Sequence, residues 1–544
     1  MKNKKFRILL IVPRYHFDKK LINEVNYRYQ FPFGIAYISA VLKKEGYSVE
    51  CLNLNHYSGR VEEVLNKKLA ETHYDFVGTG NNALGYAITE KIISIVKIHP
   101  SKPKFILGGP ILTSEPELMY SCLNPDFGVV GEGEETIIEL LDFIHKNKDL
   151  KKVKGIIFRD SSGKVIFNER RPFLKNLDSI PKPDFEGVEF EKQLSNMHCN
   201  DYYFTQSQDY PRVYPILGSR GCPFQCTFCY HEGPYRKRSM KKILDEIAEG
   251  VEKYKINIVN LYDEQFSVEK KRMYQFCGGI EKIQKRTPWK INWACQMSVS
   301  SVDDKILKRI KDAGCEVVSY GFESFSPTVL KSMKKPITPE LINKAFHDTL
   351  KAGMAIQAFF IFGDPAETNQ SVKETLDWWR NNARGQVGIG FIQPYPGSEI
   401  YKHCLRKGII KDKTNFIKRE ISNDSCLNMT ESMTNQEIEK LGKDVLELTS
   451  KHTKYTVPLS MKNSGVNVFE FKVKCPHCKQ IIEYKNCLIW NKFSYGFWVI
   501  CRNCHLRFFI VSSIQRLAYR YYKYTRKLVD FHRRVINVIR ERRI

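Results

Sequence analysis

The sequence predicts an α/β protein: an N-terminal doubly wound sheet, a partial (β/α)6 barrel, and a C-terminal cysteine-bearing ribbon followed by a basic helix. Three observations carry this. Residues 6 to about 165 alternate short apolar runs with amphipathic ones, the rhythm of βαβ units whose parallel strands are buried on both faces. A second series of six strand–helix repeats begins near residue 211. After residue 466 the pattern shortens and paired cysteines appear. At 544 residues the chain needs several cores. The expected units are a first domain at 1–165, a linker at 166–205, a barrel at 206–410, a helical segment at 411–465, a ribbon at 466–512 and an amphipathic helix at 513–544.

In the first unit, "RILLIVP", "YSVECLNLN", "YDFVGTG", "PKFILGG" and "FGVVGEG" read as strands. "FGIAYISAVLKKEG", "VEEVLNKKLAET", "AITEKIISIVKIH" and "EETIIELLDFIHKN" read as helices between and after them. Ligands of such sheets bind outside the carboxyl ends of the strands. Those ends fall at Pro13–Tyr15, Thr79–Asn82, Gly108–Pro110 and Gly131–Glu134, and three of them carry glycine, which allows close backbone approach. Tight βα turns alone would also use such glycines. "LDSIPKPDF" has two prolines and no period, hence the linker. The barrel strands are "YPILGSRGC", "INIVNLYDE", "KINWACQ", "EVVSYGFES", "IQAFFIFGD" and "VGIGFIQPYPG", with chemistry expected at their carboxyl rim.

Composition narrows the function classes. Hydrophobic content of 42% is that of a globular protein. No apolar run is long enough to span a bilayer, and "FRILLIVP" reads as a buried strand rather than a signal peptide, so a cytoplasmic location is expected. Sixteen cysteines in such a chain point to metal chemistry rather than disulfides. A net charge of +26 suits an acidic partner, or a merely solvated lysine-rich surface.

The densest cysteine run is "GSRGCPFQCTFCY", with Cys222, Cys226 and Cys229 spaced C-x3-C-x2-C after the first barrel strand. Soft thiolates select iron–sulfur clusters, zinc or copper. Four thiolates would saturate a cubane; three leave one iron open to a small molecule. A single-ion site would need a fourth ligand nearby, and His231 follows the turn too directly to serve.

This run, placed after the first strand of a βα barrel and with aromatic Phe228 before the last cysteine, resembles the signature of radical S-adenosylmethionine (SAM) enzymes. The resemblance implies a [4Fe–4S] cluster on three cysteines, SAM at the fourth iron, a 5′-deoxyadenosyl radical, and an electron donor such as flavodoxin or ferredoxin. It also implies cofactor contacts at Phe228, at Asp263 and Glu264 for the methionine amino group, and at Glu323 for ribose. A barrel-rim salt bridge is the alternative reading of Glu323. "FFIFGDPAET" resembles the fifth-strand motif, with Phe359 where glycine is frequent and Glu367 one residue late. Ser298 and Ser300 stand where close relatives carry Arg and Asp. The first unit resembles the Rossmann-like cobalamin-binding domain that precedes the barrel in B12-type members, and it shares their lack of an Asp-x-His-x-x-Gly motif. His16 and His56 belong to no such motif. That resemblance places cobalamin against Thr79, Gly80 and Asn81, Gly108, Gly109 and Pro110, and Gly131 and Glu132. It implies methylation of an unactivated carbon. The alternatives are a non-methylating rearrangement or cyclisation, and an inactive protein that binds nucleic acid or a partner through its C-terminal parts. The substrate class is a small molecule, lipid or peptide.

Cys475, Cys478, Cys501 and Cys504 form two C-x2-C knuckles, a spacing that suits tetrahedral zinc in a ribbon. A second [4Fe–4S] cluster and redox thiols are the competing readings. Zinc would fold a small unit poor in core, serving to dock nucleic acid, a peptide or a subunit. In the tail, Leu517, Tyr521, Tyr524, Leu528, Phe531, Val535 and Val538 form an apolar helical stripe among arginines and lysines. It would pack on the barrel, lie on an anionic membrane surface, or grip nucleic acid or a carrier protein.

Overall fold

The computed structural model describes residues 6–14, 29–196, 207–383, 385–421, 427–489 and 492–517. Tyr15, His16 and the tail beyond Leu517 lie outside these, and with them the basic helix expected at 513–544. No helix of the described residues is long and apolar enough to cross a membrane.

The N-terminal sheet contains β1 (Arg7–Val12), β2 (Ser48–Asn53), β3 (Phe76–Gly80), β4 (Lys104–Gly108), β5 (Phe127–Val129), β6 (Ile156–Arg159) and β7 (Val165–Phe167). Its order is β2-β1-β3-β4-β5-β6-β7; the first five strands are parallel and the last two antiparallel. Both faces are covered. Ile8, Leu10 and Val12 join a core with Ile35 and Leu42 of helix Phe33–Lys44 and Leu140 of helix Gly133–His145. Leu9 and Ile11 point the other way, toward Leu65 of helix Val61–Glu71 and Ile92 of helix Tyr86–Ile98. The order reverses between β1 and β3, which opens a crevice at their carboxyl ends.

The second sheet is wholly parallel, in the order β15-β14-β13-β12-β11-β8: β8 (Val213–Ile216), β11 (Ile258–Leu261), β12 (Asn292–Gln296), β13 (Cys315–Glu323), β14 (Ala355–Phe362) and β15 (Val387–Phe391). This is the six-stranded partial barrel the sequence predicts. Two-residue strands β9 (Ser219–Arg220) and β10 (Arg236–Lys237) pair antiparallel and pinch the base of the cysteine loop between them.

The stretch expected to be a linker is packed over its second half, from Phe185 to Leu194. Phe185 stacks on Phe31 and on Tyr214 at 4.7 Å, and Val188, Phe190 and Leu194 are buried with them. Asp184 accepts from Ser39 and pairs with Lys43 at 2.6 Å. Prolines hide this from a periodicity reading, but the aromatic side chains still bury, and they fuse the two sheets into one continuous core.

Helix Asn435–His452 lies in the segment expected to be helical. The cysteine unit starts earlier than residue 466: β17 (Ser460–Gly465) pairs with β18 (Val468–Lys474), which pairs with β19 (Ile481–Leu488). The residues of β17 are all exposed and largely polar, so no hydrophobic alternation announces that edge strand. A second sheet joins β16 (Tyr455–Thr456), β21 (Arg507–Val511) and β20 (Gly496–Ile500).

Candidate active site

The three-cysteine loop is held from beneath and from both sides. Gly221 has φ +72°, and a Cβ there would fall 2.6 Å from the Pro234 carbonyl oxygen, so only glycine lets the loop fold back on itself. The Gly218 amide and Ser219 hydroxyl donate to the two oxygens of Asp263 at 2.6 and 2.7 Å. Thr227 donates its amide to the Met333 carbonyl and accepts from the Ile400 amide. Phe228 is half-buried against the apolar cluster that contains Met333 and Ile392, so it anchors the turn. His231 Nε2 lies 3.3 Å from the Cys226 carbonyl oxygen, engaged with backbone.

Burial raises all three thiols, Cys229 to about 12, so in the absence of a metal they are protonated at neutral pH. Among the described residues, the group that brings three or more ligand atoms within 4.8 Å of one another is Cys475, Cys478, Cys501 and Cys504.

Around the loop, the acidic pair divides. Asp263 is 1% exposed and its oxygens are taken by Gly218 and Ser219, so it orders the cysteine loop and is not free for an ammonium. This corrects the expectation for Asp263. Glu264 is exposed and faces a large cavity. Its neighbour Gln265 is 5% exposed, and Oε1 of Gln265 has no partner. Gln265 lines a small pocket with Phe224, Met297, Ser298, Gly321 and Lys335. Lys335 donates to Glu323 Oε1 at 3.1 Å. Its ammonium also lies near enough to Cys226 and Cys229 for their charges to interact. Gly321 makes room for this pair: a Cβ there would fall 2.6 Å from Lys335 Nζ. Glu323 has φ +61°, which turns its carboxylate toward Lys335. Ser298 and Ser300 bond each other at 2.7 Å. Sequence reasoning missed Lys335 and Gln265. A single lysine does not stand out among 86 basic residues, and Gln265 gains meaning only from its burial.

The large cavity, about 510 Å³, lies between the carboxyl ends of the N-terminal sheet and the barrel mouth. It brings together Thr79, Gly80 and Asn81, Gly108, Gly109 and Pro110, and Gly131 and Glu132. Opposite them stand Leu217, Ser219, Arg220, Gly221, Tyr262 and Glu264 from the barrel side. It extends inward as an apolar slot along Leu10, Ile35, Ile106, Ile137 and Leu141. One glycine of these turns is sterically required. Gly109 has φ +82° and ψ 178°, and a Cβ there would sit 3.0 Å from both Asn81 N and Asn81 O. Glu132 lines the cavity, but its carboxylate bonds Arg220 and Arg236 at 2.7 Å each and accepts from the Leu174 amide. It is a clamp between the domains, not a free ligand group. Burial opposes its charge, yet Arg236 and Arg220 hold it below the usual carboxylate range.

Residues 216–378 match the radical SAM superfamily model, and residues 20–141 match the B12 binding domain model. The chain therefore carries a B12 binding domain followed by a radical SAM superfamily domain. It is 27% identical over 75% of its length to an uncharacterized methyltransferase of Pyrococcus horikoshii, covering 85% of that protein. It is 27% identical over 76% of its length to the anaerobic magnesium-protoporphyrin IX monomethyl ester cyclase of Rubrivivax gelatinosus, covering 72% of it. Its fold is similar to that of the radical SAM methyltransferase TsrM from Kitasatospora setae, with a TM-score of 0.59, 17% identity, and coverage of 75% of this chain and 76% of that one.

The two matched domains imply a [4Fe–4S] cluster, SAM and cobalamin, and the residues present fit all three. Three thiols in one loop suit the cluster, leaving one iron open. The orphaned Gln265 oxygen offers a polar ligand an unmet acceptor beside the loop. The glycine turns would let the backbone approach a bulky, amide-fringed macrocycle closely, and the apolar slot would suit the aromatic base of its tail.

Proposed function

We propose that this protein is a cobalamin-dependent radical SAM methyltransferase acting on an unactivated carbon of a small molecule, lipid or peptide. The observation that carries the proposal is the single cavity shared by the glycine turns of the B12-binding domain and the mouth of the cysteine-bearing barrel. When bound, the cluster and SAM supply one-electron cleavage of a sulfonium, and cobalamin supplies a transferable methyl group. The chain's residues position these groups. Asp263 fixes the cysteine loop, Lys335 and Glu323 shape the pocket beside it, and the Arg220–Glu132 clamp holds the two domains in register. Glu264 offers the cavity a carboxylate, suited to accept a bond from a cationic or hydroxyl group. The methyltransferase relative from Pyrococcus supports the reading. A flavodoxin or ferredoxin is the fitting electron donor.

The cyclase relative favours a second reading, radical chemistry without methyl transfer. One experiment separates them. Protein purified anaerobically with cobalamin, reduced and given SAM and extracts of candidate substrates, should form S-adenosylhomocysteine alongside 5′-deoxyadenosine. Deoxyadenosine alone would reject methyl transfer; neither product would reject a radical enzyme.

We read the second cysteine set as a structural zinc site. Four thiolates at Zn–S distances of about 2.3 Å stand roughly 3.8 Å apart in a tetrahedron. Cys475 and Cys504 lie 3.9 Å apart, and Cys478 and Cys501 3.6 Å. Zinc analysis of the whole protein tests this.

A further inference from the structure

The four-cysteine unit touches the barrel at its closed end, opposite the cysteine loop. Ile500, the residue before Cys501, is buried among Val213, Ile258, Ala294, Val317 and Ala355. These are the first residues of β8, β11 and β14 and the third residues of β12 and β13, so Ile500 joins the cluster that closes the floor of the barrel. The backbone joins in. The Ile500 amide donates to the Ser207 hydroxyl at 2.6 Å, in the strap that leads into β8. Arg502 donates to the Ser207 carbonyl and pairs with Asp209 at 3.0 Å.

On the far side of the same knuckle, Arg507 and Gln386 bond reciprocally. The Arg507 amide donates to Gln386 Oε1 at 2.8 Å, and Gln386 Nε2 donates to the Arg507 carbonyl at 3.1 Å. Both residues are buried, and Gln386 immediately precedes β15. The first knuckle reaches this point too: His477, between Cys475 and Cys478, contacts the Arg507 carbonyl at 3.2 Å. Thus the turn carrying Cys501 and Cys504 has a barrel contact on each flank, and the turn carrying Cys475 and Cys478 braces one of them.

We propose that the four-cysteine site is the metal-locked floor of the catalytic barrel, so that zinc bound there stabilises the amino ends of the barrel strands. This rests on the zinc reading above. The physical reason is that a turn of five residues between Ile500 and Leu506 has little core to hold its shape. Metal bonds fix it, and the fixed turn presents Ile500 and Arg507 in register with the barrel. The floor face of the ribbon is therefore occupied by the protein's own barrel, not left free to dock a partner.

The test uses the full chain. Zinc and iron are counted in the wild type, Cys501→Ser and Gln386→Ala, and amide hydrogen exchange is followed at residues 207–216, 258–261 and 355–358. Cys501→Ser should lose zinc, and exchange at these segments should accelerate about tenfold, as expected when one or two hydrogen bonds of local stability are lost. Gln386→Ala should keep zinc yet accelerate exchange in the same segments, which guards against reading a misfolded ribbon as coupling. A wild type without bound zinc overturns the zinc reading itself. Zinc lost in Cys501→Ser with unchanged exchange in the barrel overturns the floor proposal alone.

Discussion

Arg220 and Glu132 meet at 2.7 Å across the junction of the two domains, two residues ahead of the first cluster cysteine. The same guanidinium reaches Glu134 at 2.5 Å and lies over the Tyr37 ring. Both partners are less than a fifth exposed. The pair therefore couples the cobalamin-side turns to the cluster-side loop through a desolvated charge network.

Arg220→Ala leaves two carboxylates without their main counter-charge, Glu132 retaining only Arg236. Unfolding should cost about 3 kcal/mol less than in the wild type, and corrinoid retention should fall. Denaturant titration and corrinoid absorbance check this. The pH dependence follows from the lowered folded value of Glu132. Its stabilisation is complete above the ordinary carboxylate range, near about pH 4.3, and disappears as pH falls through the lower folded value. The variant should be less sensitive to acid than the wild type in that window.

The neighbouring acids should separate cleanly. Asp263→Asn removes one acceptor of the two bonds that hold Gly218 and Ser219, and should lower iron content and stability together. Glu264→Gln should keep full iron content and change only ligand binding or turnover. Equal iron loss in both would show that the division seen at the barrel rim has no consequence.

Lys335 pairs with Glu323, and its charge is within electrostatic reach of Cys226 and Cys229. Reduction adds negative charge to a cluster, and a nearby cation stabilises that form. Lys335→Met should therefore shift the cluster's midpoint potential downward, and Lys335→Arg should restore most of it. Redox titration followed by electron paramagnetic resonance reads this directly. An unchanged potential in Lys335→Met would remove Lys335 from the electrostatics of the cluster.

Gly109 occupies backbone space open essentially to glycine alone, with φ +82° and ψ 178°. Gly109→Ala should cost about 1–3 kcal/mol and push β4's turn off Asn81. Corrinoid affinity should drop more than tenfold, measured by equilibrium dialysis. Loss of affinity without loss of iron would place the effect in the cobalamin half of the cavity.

The sequence by itself determined the two βα series, the three-cysteine loop at the barrel rim, the glycine turns and the paired knuckles. Each of these is local: strand and helix periods span a few residues, thiol spacing is set within eight, and a glycine turn is written at its own position. Only the tertiary structure decided the rest. It showed that Asp263 is spent on Gly218 and Glu132 on Arg220, pairings 45 and 88 residues apart that no local pattern encodes. It brought Lys335 within electrostatic reach of the cluster thiols, packed residues 185–194 between the sheets, and set Ile500 beneath the barrel. Burial and pairing are properties of which surfaces meet, and the chain settles that only when it closes on itself.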